Sequence, residues 1–134
     1  MKYKYTCPAC GYLSFDEPPG SDEICHICFW HDDITQLRFP IEGGANHTSL
    51  VRAQENYEEY GAVEKRLMAH TKKPDNTDEK DKAWRKIDFT HDQFDALPSG
   101  KNYLDRFRDI DYPEDSTHLY YWSSNYWKNK KTNI

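Results

Sequence analysis

The sequence is poor in the side chains that usually build a hydrophobic core. Leu, Ile, Val and Phe (7, 7, 2 and 6 residues) make up 22 of its 134 residues, about 16%. A share below roughly 20% is typical of disordered chains. The formal net charge is only −5, however, so self-repulsion is weak, and ten Tyr with four Trp offer large side chains for burial. We therefore expect a small folded protein with an aromatic core.

Several other features are missing, and each absence excludes a class of protein. No apolar run approaches the ~18–20 residues that span a bilayer, so no membrane helix is expected. The first seven residues carry positive charge but no apolar stretch, which predicts no secretory signal and a cytoplasmic location. The zinc-protease, P-loop, nucleophile-elbow and deaminase signatures are all absent. We accordingly predict that the protein is not an enzyme.

The sequence also lacks a sustained basic stretch. Residues 1–70 hold 6 basic and 11 acidic side chains, a net charge of −5, whereas residues 71–134 hold 12 of each. Nucleic-acid binding depends on neutralising phosphates with Lys and Arg. Nucleic acid is therefore not the expected partner.

The four cysteines are the most informative residues present. Cys7, Cys10, Cys25 and Cys28 form a C-x2-C-x14-C-x2-C pattern that uses every cysteine of the chain. Two such pairs can place four thiolates around one tetrahedral zinc ion, which would be structural because the shell is closed. Disulfides, a redox pair and a rubredoxin-like iron site remain as alternatives. A ligand role for the neighbouring His26 or His31 is a further one.

Hydrophobic spacing and capping residues predict short elements. A strand is expected at 12–15, a loop at 16–21 and irregular chain at 34–48. The clearest helix runs over 49–60, because Thr48 or Ser49 can cap its start and Gly61 suits its end. Further helices are predicted at 62–70, 90–97 and 103–110. The pattern at 118–127 fits either strand or helix.

These elements predict three regions and one fold class. Residues 1–70 form a cysteine-rich zinc module with following helices, residues 71–82 a polar linker or exposed loop, and residues 83–134 an aromatic-rich extension packed on the first part. The expected fold is a small α+β protein. Its N-terminal turns would be like those of zinc ribbons or rubredoxins, packed with several short helices.

The residues around the cysteines match a known family in order and spacing. The matching blocks are residues 7–13, 16–21, 23–25, 27–30, 32–33, 43–46, 49–50, 53–54, 56–57 and 61–62. Over residues 5–70 the chain resembles the bacterial cysteine-rich CPCC family, although Ala9 stands where the family has its middle cysteine. The resemblance implies a small metal-binding module with no established reaction. It also implies an association with toxin immunity, since similar proteins are sometimes encoded beside bacterial toxins.

The leading functional hypothesis is a non-catalytic, zinc-stabilised module that binds another protein. The best specific candidate for that partner is a bacterial toxin that the module neutralises. Two candidate partner surfaces are an acidic face within residues 16–33 and the aromatic stretch 118–127. Their candidate residues are Asp16, Glu17, Asp32, Asp33, Tyr120, Tyr121 and Trp122. The acidic side chains could instead form a solvated face, and the aromatic ones a core. A nucleic-acid-binding zinc ribbon and an iron electron carrier are the alternative functions.

Overall fold

The computed structural model describes residues 3–95 and 111–128. Two short strands form one antiparallel sheet, β1 (Tyr5–Thr6) and β2 (Leu13–Phe15). They are followed in the described residues by the α-helices α1 (Ile34–Arg38) and α2 (Leu50–Tyr60). Residues Lys65–His70 and Ser116–Leu119 form 3₁₀ helices. A small fold that mixes sheet and helix was predicted, and the described residues have that composition. None of their helices is long and apolar enough to cross a membrane.

The first cysteine pair lies in the turn of the β1–β2 hairpin, which we call the first cysteine turn (residues 7–12). The Cys7 N–H donates to the Tyr12 carbonyl at 2.9 Å, and the Gly11 N–H donates back to the Cys7 carbonyl at 2.8 Å. Gly11 has φ of 84°, in the left-handed region that glycine adopts without strain. The strand expected at 12–15 is therefore confirmed as β2.

The second cysteine pair repeats this turn without a full hairpin, and residues 25–30 are called the second cysteine turn. The Cys25 N–H donates to the Trp30 carbonyl at 2.8 Å, and the Phe29 N–H donates to the Cys25 carbonyl at 2.9 Å. Phe29 has φ of 71°, so it takes the left-handed conformation that Gly11 takes in the first turn. A single antiparallel bridge between Ile24 and His31 closes the second turn.

Helix α2 is the element that the sequence predicted best. The Ser49 side chain accepts the Arg52 N–H at 3.2 Å, and Gly61 ends the helix in the left-handed conformation. Leu50 and Ala53 are fully buried on the face that packs on the cysteine turns. Ser49 is thus one of the two predicted caps, and the helix begins one residue later than predicted and ends at the predicted residue.

Of the predictions for the flanking segments, the one for 34–48 was wrong and the one for 62–70 was correct only in part. Residues 34–48 were expected to be irregular, but α1 occupies Ile34–Arg38 because the Asp33 carboxylate caps it by accepting the Thr35 N–H at 2.9 Å. The helix expected at 62–70 is a 3₁₀ helix confined to Lys65–His70. Val63 precedes this helix in the chain and is buried, and its N–H donates to the Cys28 carbonyl at 3.0 Å.

The segment predicted as a linker runs along the cysteine turns. The Leu13 N–H donates to the Glu79 carbonyl and the Asp81 N–H to the Gly11 carbonyl, at 2.8 and 2.9 Å. Most of its side chains are exposed, as expected for a polar loop, but its backbone pairs with residues 11–13. Tyr12 and Lys80 form the bridge between them.

The described part of the aromatic extension completes the core. Leu119, Tyr121 and Trp127 are buried in the same cluster as the four cysteines and α2. Residues 92–95 are not helical, and the rest of the helix predicted at 90–97 lies outside the described residues, as does the helix predicted at 103–110. The stretch 118–127 is neither a strand nor a long helix, since turns follow the 3₁₀ helix Ser116–Leu119.

Candidate metal centre

The two cysteine turns bring the four sulfur atoms together. The side chains of Cys7, Cys10, Cys25 and Cys28 have no exposed surface, and their Sγ atoms all lie within 4.8 Å of one another. The Cys7 and Cys28 sulfurs are 3.6 Å apart, and those of Cys10 and Cys25 are 3.8 Å apart. Each close pair joins one turn to the other, and all four cysteines are free thiols.

This spacing suits a tetrahedral metal ion. Zinc–thiolate bonds of about 2.3 Å place the sulfurs of a regular tetrahedron about 3.8 Å apart. The two sulfur–sulfur distances of 3.6 and 3.8 Å agree with that value. The donor set of four thiolates fits zinc or iron. The cluster is therefore a possible four-cysteine metal site.

The electrostatics of the cluster favour a cation at its centre. Burial raises the pKa of the Cys7, Cys10 and Cys28 thiols. Burial acts in the same direction at Cys25, but hydrogen bonds from the other cysteines and from Ser14 outweigh it and lower its pKa. Four thiolates at this spacing repel one another in a dry interior. A divalent cation compensates that repulsion and allows all four to ionise.

The neighbouring histidines bind carboxylates and lie outside the sulfur cluster. His26 Nε2 is 3.4 Å from an Asp78 carboxylate oxygen, and His31 Nε2 is 3.0 Å from Asp22. Among the described residues, the group that could hold a metal consists of the four cysteines. The arrangement gives no support to a ligand role for either histidine.

Comparison with protein families gives a match to this part of the chain. The family model described as "Cysteine-rich CPCC" matches residues 5–78, which is more than half of the sequence. The chain belongs to the cysteine-rich CPCC family. Searches of the curated proteins and of the solved structures found no match. The segment that matches the family contains both cysteine turns and α2, and we call it the CPCC module (residues 5–78).

Residues beyond the CPCC module are tied to its first cysteine turn. The Pro8 carbonyl accepts the Gln54 side-chain amide at 2.9 Å and the Trp84 indole N–H at 3.0 Å. The same Gln54 amide donates to the Tyr121 hydroxyl at 2.9 Å, and its carbonyl accepts the Ile87 N–H at 2.9 Å. Gln54 therefore connects α2, the first cysteine turn and two segments of the extension. Sequence reasoning missed this role because an isolated Gln in a helix carries no signal of its partners.

The structure corrects the acidic face that the sequence predicted. Asp32 is 2% exposed and accepts the Ser21 N–H and hydroxyl at 3.1 and 2.6 Å. Asp33 is 1% exposed, and besides capping α1 it accepts the Ala45 N–H at 3.0 Å. Both carboxylates organise backbone within the CPCC module and are not available to a docking partner. Asp16 and Glu17 are exposed, as the prediction requires of them.

The aromatic stretch is also mostly internal. Tyr120 is buried and its hydroxyl donates to the Thr6 carbonyl at 2.9 Å, next to Cys7. Tyr121 is buried, and Trp122 is partly buried and stacks on Tyr120 with 4.5 Å between ring centroids. Burial at Tyr120 raises the pKa of its hydroxyl. Tyr120 and Tyr121 therefore belong to the core that covers the CPCC module, which leaves Trp122 as the part-exposed member of the predicted surface.

Proposed function

We propose that the protein is a non-catalytic module whose fold depends on one zinc ion and which acts by binding another protein. The observation that supports it is the complete burial of all four cysteines, together with sulfur spacing suited to a tetrahedral ion. Catalytic zinc keeps an open position for water or substrate beside three protein ligands. Four buried thiolates leave no such position, which favours a structural zinc ion over a reactive one.

Zinc is proposed over iron on the basis of the second cysteine turn and the short loop between the pairs. Rubredoxin-like turns have glycine after the second cysteine of each pair, whereas this chain has Phe29 in the left-handed conformation. Elemental analysis of the full chain, expressed without added metal, should give about one zinc per chain. A red protein that contains iron would favour the electron carrier. A protein that contains neither zinc nor iron would contradict both the zinc module and the electron carrier.

The proposed partner is a basic protein, and a bacterial toxin is the specific candidate. Four thiolates and one Zn²⁺ sum to −2, so the occupied site changes the charge of residues 1–70 from −5 to about −7. Such a charge repels phosphate at long range and attracts a basic protein, whose association then speeds up at low salt. Exposed Asp16 and Glu17 lie on the loop between the two cysteine turns, where they can contact such a partner.

The partner can be identified and its binding surface tested in one design. The tagged full chain is purified from its own cell, and the protein that co-purifies is identified, expressed and purified. Stopped-flow association is then measured at two salt concentrations for the Asp16→Lys/Glu17→Lys variant. A Glu55→Lys/Glu59→Lys variant is the control, because it makes the same change in charge on exposed positions of α2.

We expect the Asp16→Lys/Glu17→Lys variant to associate more slowly and with a weaker dependence on salt, and the Glu55→Lys/Glu59→Lys control to behave like the wild type. Equal effects in both variants would show that only the net charge matters and would contradict a docking role for the loop. Duplex DNA and single-stranded RNA are tested alongside. Micromolar or tighter, salt-sensitive binding to either would overturn the proposal in favour of a nucleic-acid-binding zinc ribbon.

A further inference from the structure

The two cysteine turns follow the same pattern but differ in one buried contact. Ser14 lies in the middle of β2 and is 3% exposed. Its hydroxyl donates to the Cys25 sulfur at 3.1 Å, so the contact joins β2 to the second cysteine turn. Ser14 is seven residues after Cys7, and the residue seven positions after Cys25 is Asp32, whose carboxylate accepts hydrogen bonds from Ser21.

Cys25 is also the sulfur toward which the backbone N–H groups of the second turn point. The Ile27 and Cys28 N–H groups lie 3.4 and 3.5 Å from it. Ser14 therefore adds a third donor to this sulfur, and that donor comes from β2, which follows the first cysteine turn. Buried hydroxyls are usually hydrogen-bonded, and the Cys25 sulfur is the acceptor of the Ser14 hydroxyl.

We infer that Ser14 belongs to the metal centre as a positioning residue, which binds Cys25 as a thiolate and stabilises the negative charge of the occupied site. This inference rests on the proposed four-cysteine site. A zinc ion with four thiolates carries −2 in a buried environment, and donors to the sulfurs are what compensates that charge. Groups that hydrogen-bond to metal ligands commonly change metal affinity by about 10- to 100-fold when removed.

The test compares Ser14→Thr with Ser14→Val in the full chain. The two variants have side chains of nearly equal shape, and only the Thr variant keeps the hydroxyl. Both are titrated with Co²⁺, whose thiolate charge-transfer absorption reports electron density on the sulfurs. We expect the Thr variant to match the wild type. The Val variant should bind Co²⁺ about tenfold more weakly, with its charge-transfer band shifted to lower energy.

A Ser14→Ala variant separates the hydroxyl from the fit of the larger side chains. It has to show the same band shift as the Val variant, because it removes the donor without adding bulk. Identical band positions in the Thr, Val and Ala variants, with affinities within about twofold, would overturn the role of Ser14. Absence of tetrahedral Co²⁺ absorption from the wild type would instead overturn the metal site itself, so the two failures are distinguishable.

Discussion

Gly11 and Gly61 provide a matched pair for testing how the extension packs on the first cysteine turn. Both glycines have positive φ, 84° and 71°, so an alanine at either one strains the backbone by about 1–2 kcal/mol. Their surroundings differ. A Cβ at Gly11 would lie 2.5 Å from Cε3 of Trp84, whereas a Cβ at Gly61 would have nothing within 4 Å.

The difference between the two variants measures the contact with Trp84. In the Gly11→Ala variant the indole must move, which costs about 1–3 kcal/mol for overpacking and about 1 kcal/mol for the hydrogen bond to the Pro8 carbonyl. We therefore expect Gly11→Ala to lower the free energy of unfolding by about 2–4 kcal/mol more than Gly61→Ala. Urea denaturation of the zinc-loaded chain, followed by circular dichroism, gives both values.

A double variant decides whether Trp84 is the cause. In a Trp84→Ala background the nearest atoms to a Cβ at Gly11 are gone, so the cost of Gly11→Ala should fall to that of Gly61→Ala. Equal costs of the two glycine variants in the wild-type background would refute the reasoning. The same holds if the larger cost of Gly11→Ala persists without Trp84.

Three further predictions concern the metal, the pH and the connection through Gln54. Cys25→Ser should abolish stoichiometric zinc and leave residues 5–33 open to protease, and an unchanged melting curve would show that the site is not structural. Burial raises the pKa of Asp32 from 3.8 to about 6 despite the hydrogen bonds from Ser21, so the carboxyl stabilises the fold when protonated. The free energy of unfolding of the wild type, relative to that of the Asp32→Asn variant, should therefore fall by about 3 kcal/mol as pH rises from 3.8 to 6. Parallel plots of unfolding free energy against pH for the two proteins would contradict this. Gln54→Ala removes three hydrogen bonds and should cost about 2–4 kcal/mol in urea denaturation, whereas the exposed control Gln93→Ala should cost less than about 0.5 kcal/mol.

What could be predicted from the sequence is what depends on residues close together in the chain. The C-x2-C spacing located the four sulfurs because each turn is closed by its own backbone hydrogen bonds. Ser49 and Gly61 located α2 because caps act within one turn of the helix. Neither prediction required knowledge of the tertiary fold.

The wrong predictions for Asp32 and Asp33 depend instead on residues farther along the chain. Asp32 and Asp33 were assigned to a surface because charged residues are rarely buried, but their partners Ser21 and Ala45 are 11 and 12 positions away. The strand predicted for Ser14 is confirmed, but its hydrogen bond to Cys25 was not predicted, because that acceptor is in the second cysteine turn. Contacts of this kind depend on the tertiary fold, which composition and periodicity do not determine.

The backbone pairing of residues 79–81 with residues 11–13 has a consequence for where this chain can be truncated. A two-stranded sheet of this size has two edges, and an uncovered edge is a template for pairing with another molecule. Truncation after residue 78, where the family match ends, removes the Glu79 carbonyl that accepts the Leu13 N–H and the Asp81 N–H that binds the Gly11 carbonyl. It also uncovers Gly11 by removing Trp84. The first cysteine turn and the start of β2 therefore have partners beyond the family segment, and we expect a fragment ending at residue 78 to expose an unpaired strand edge at residues 11–13.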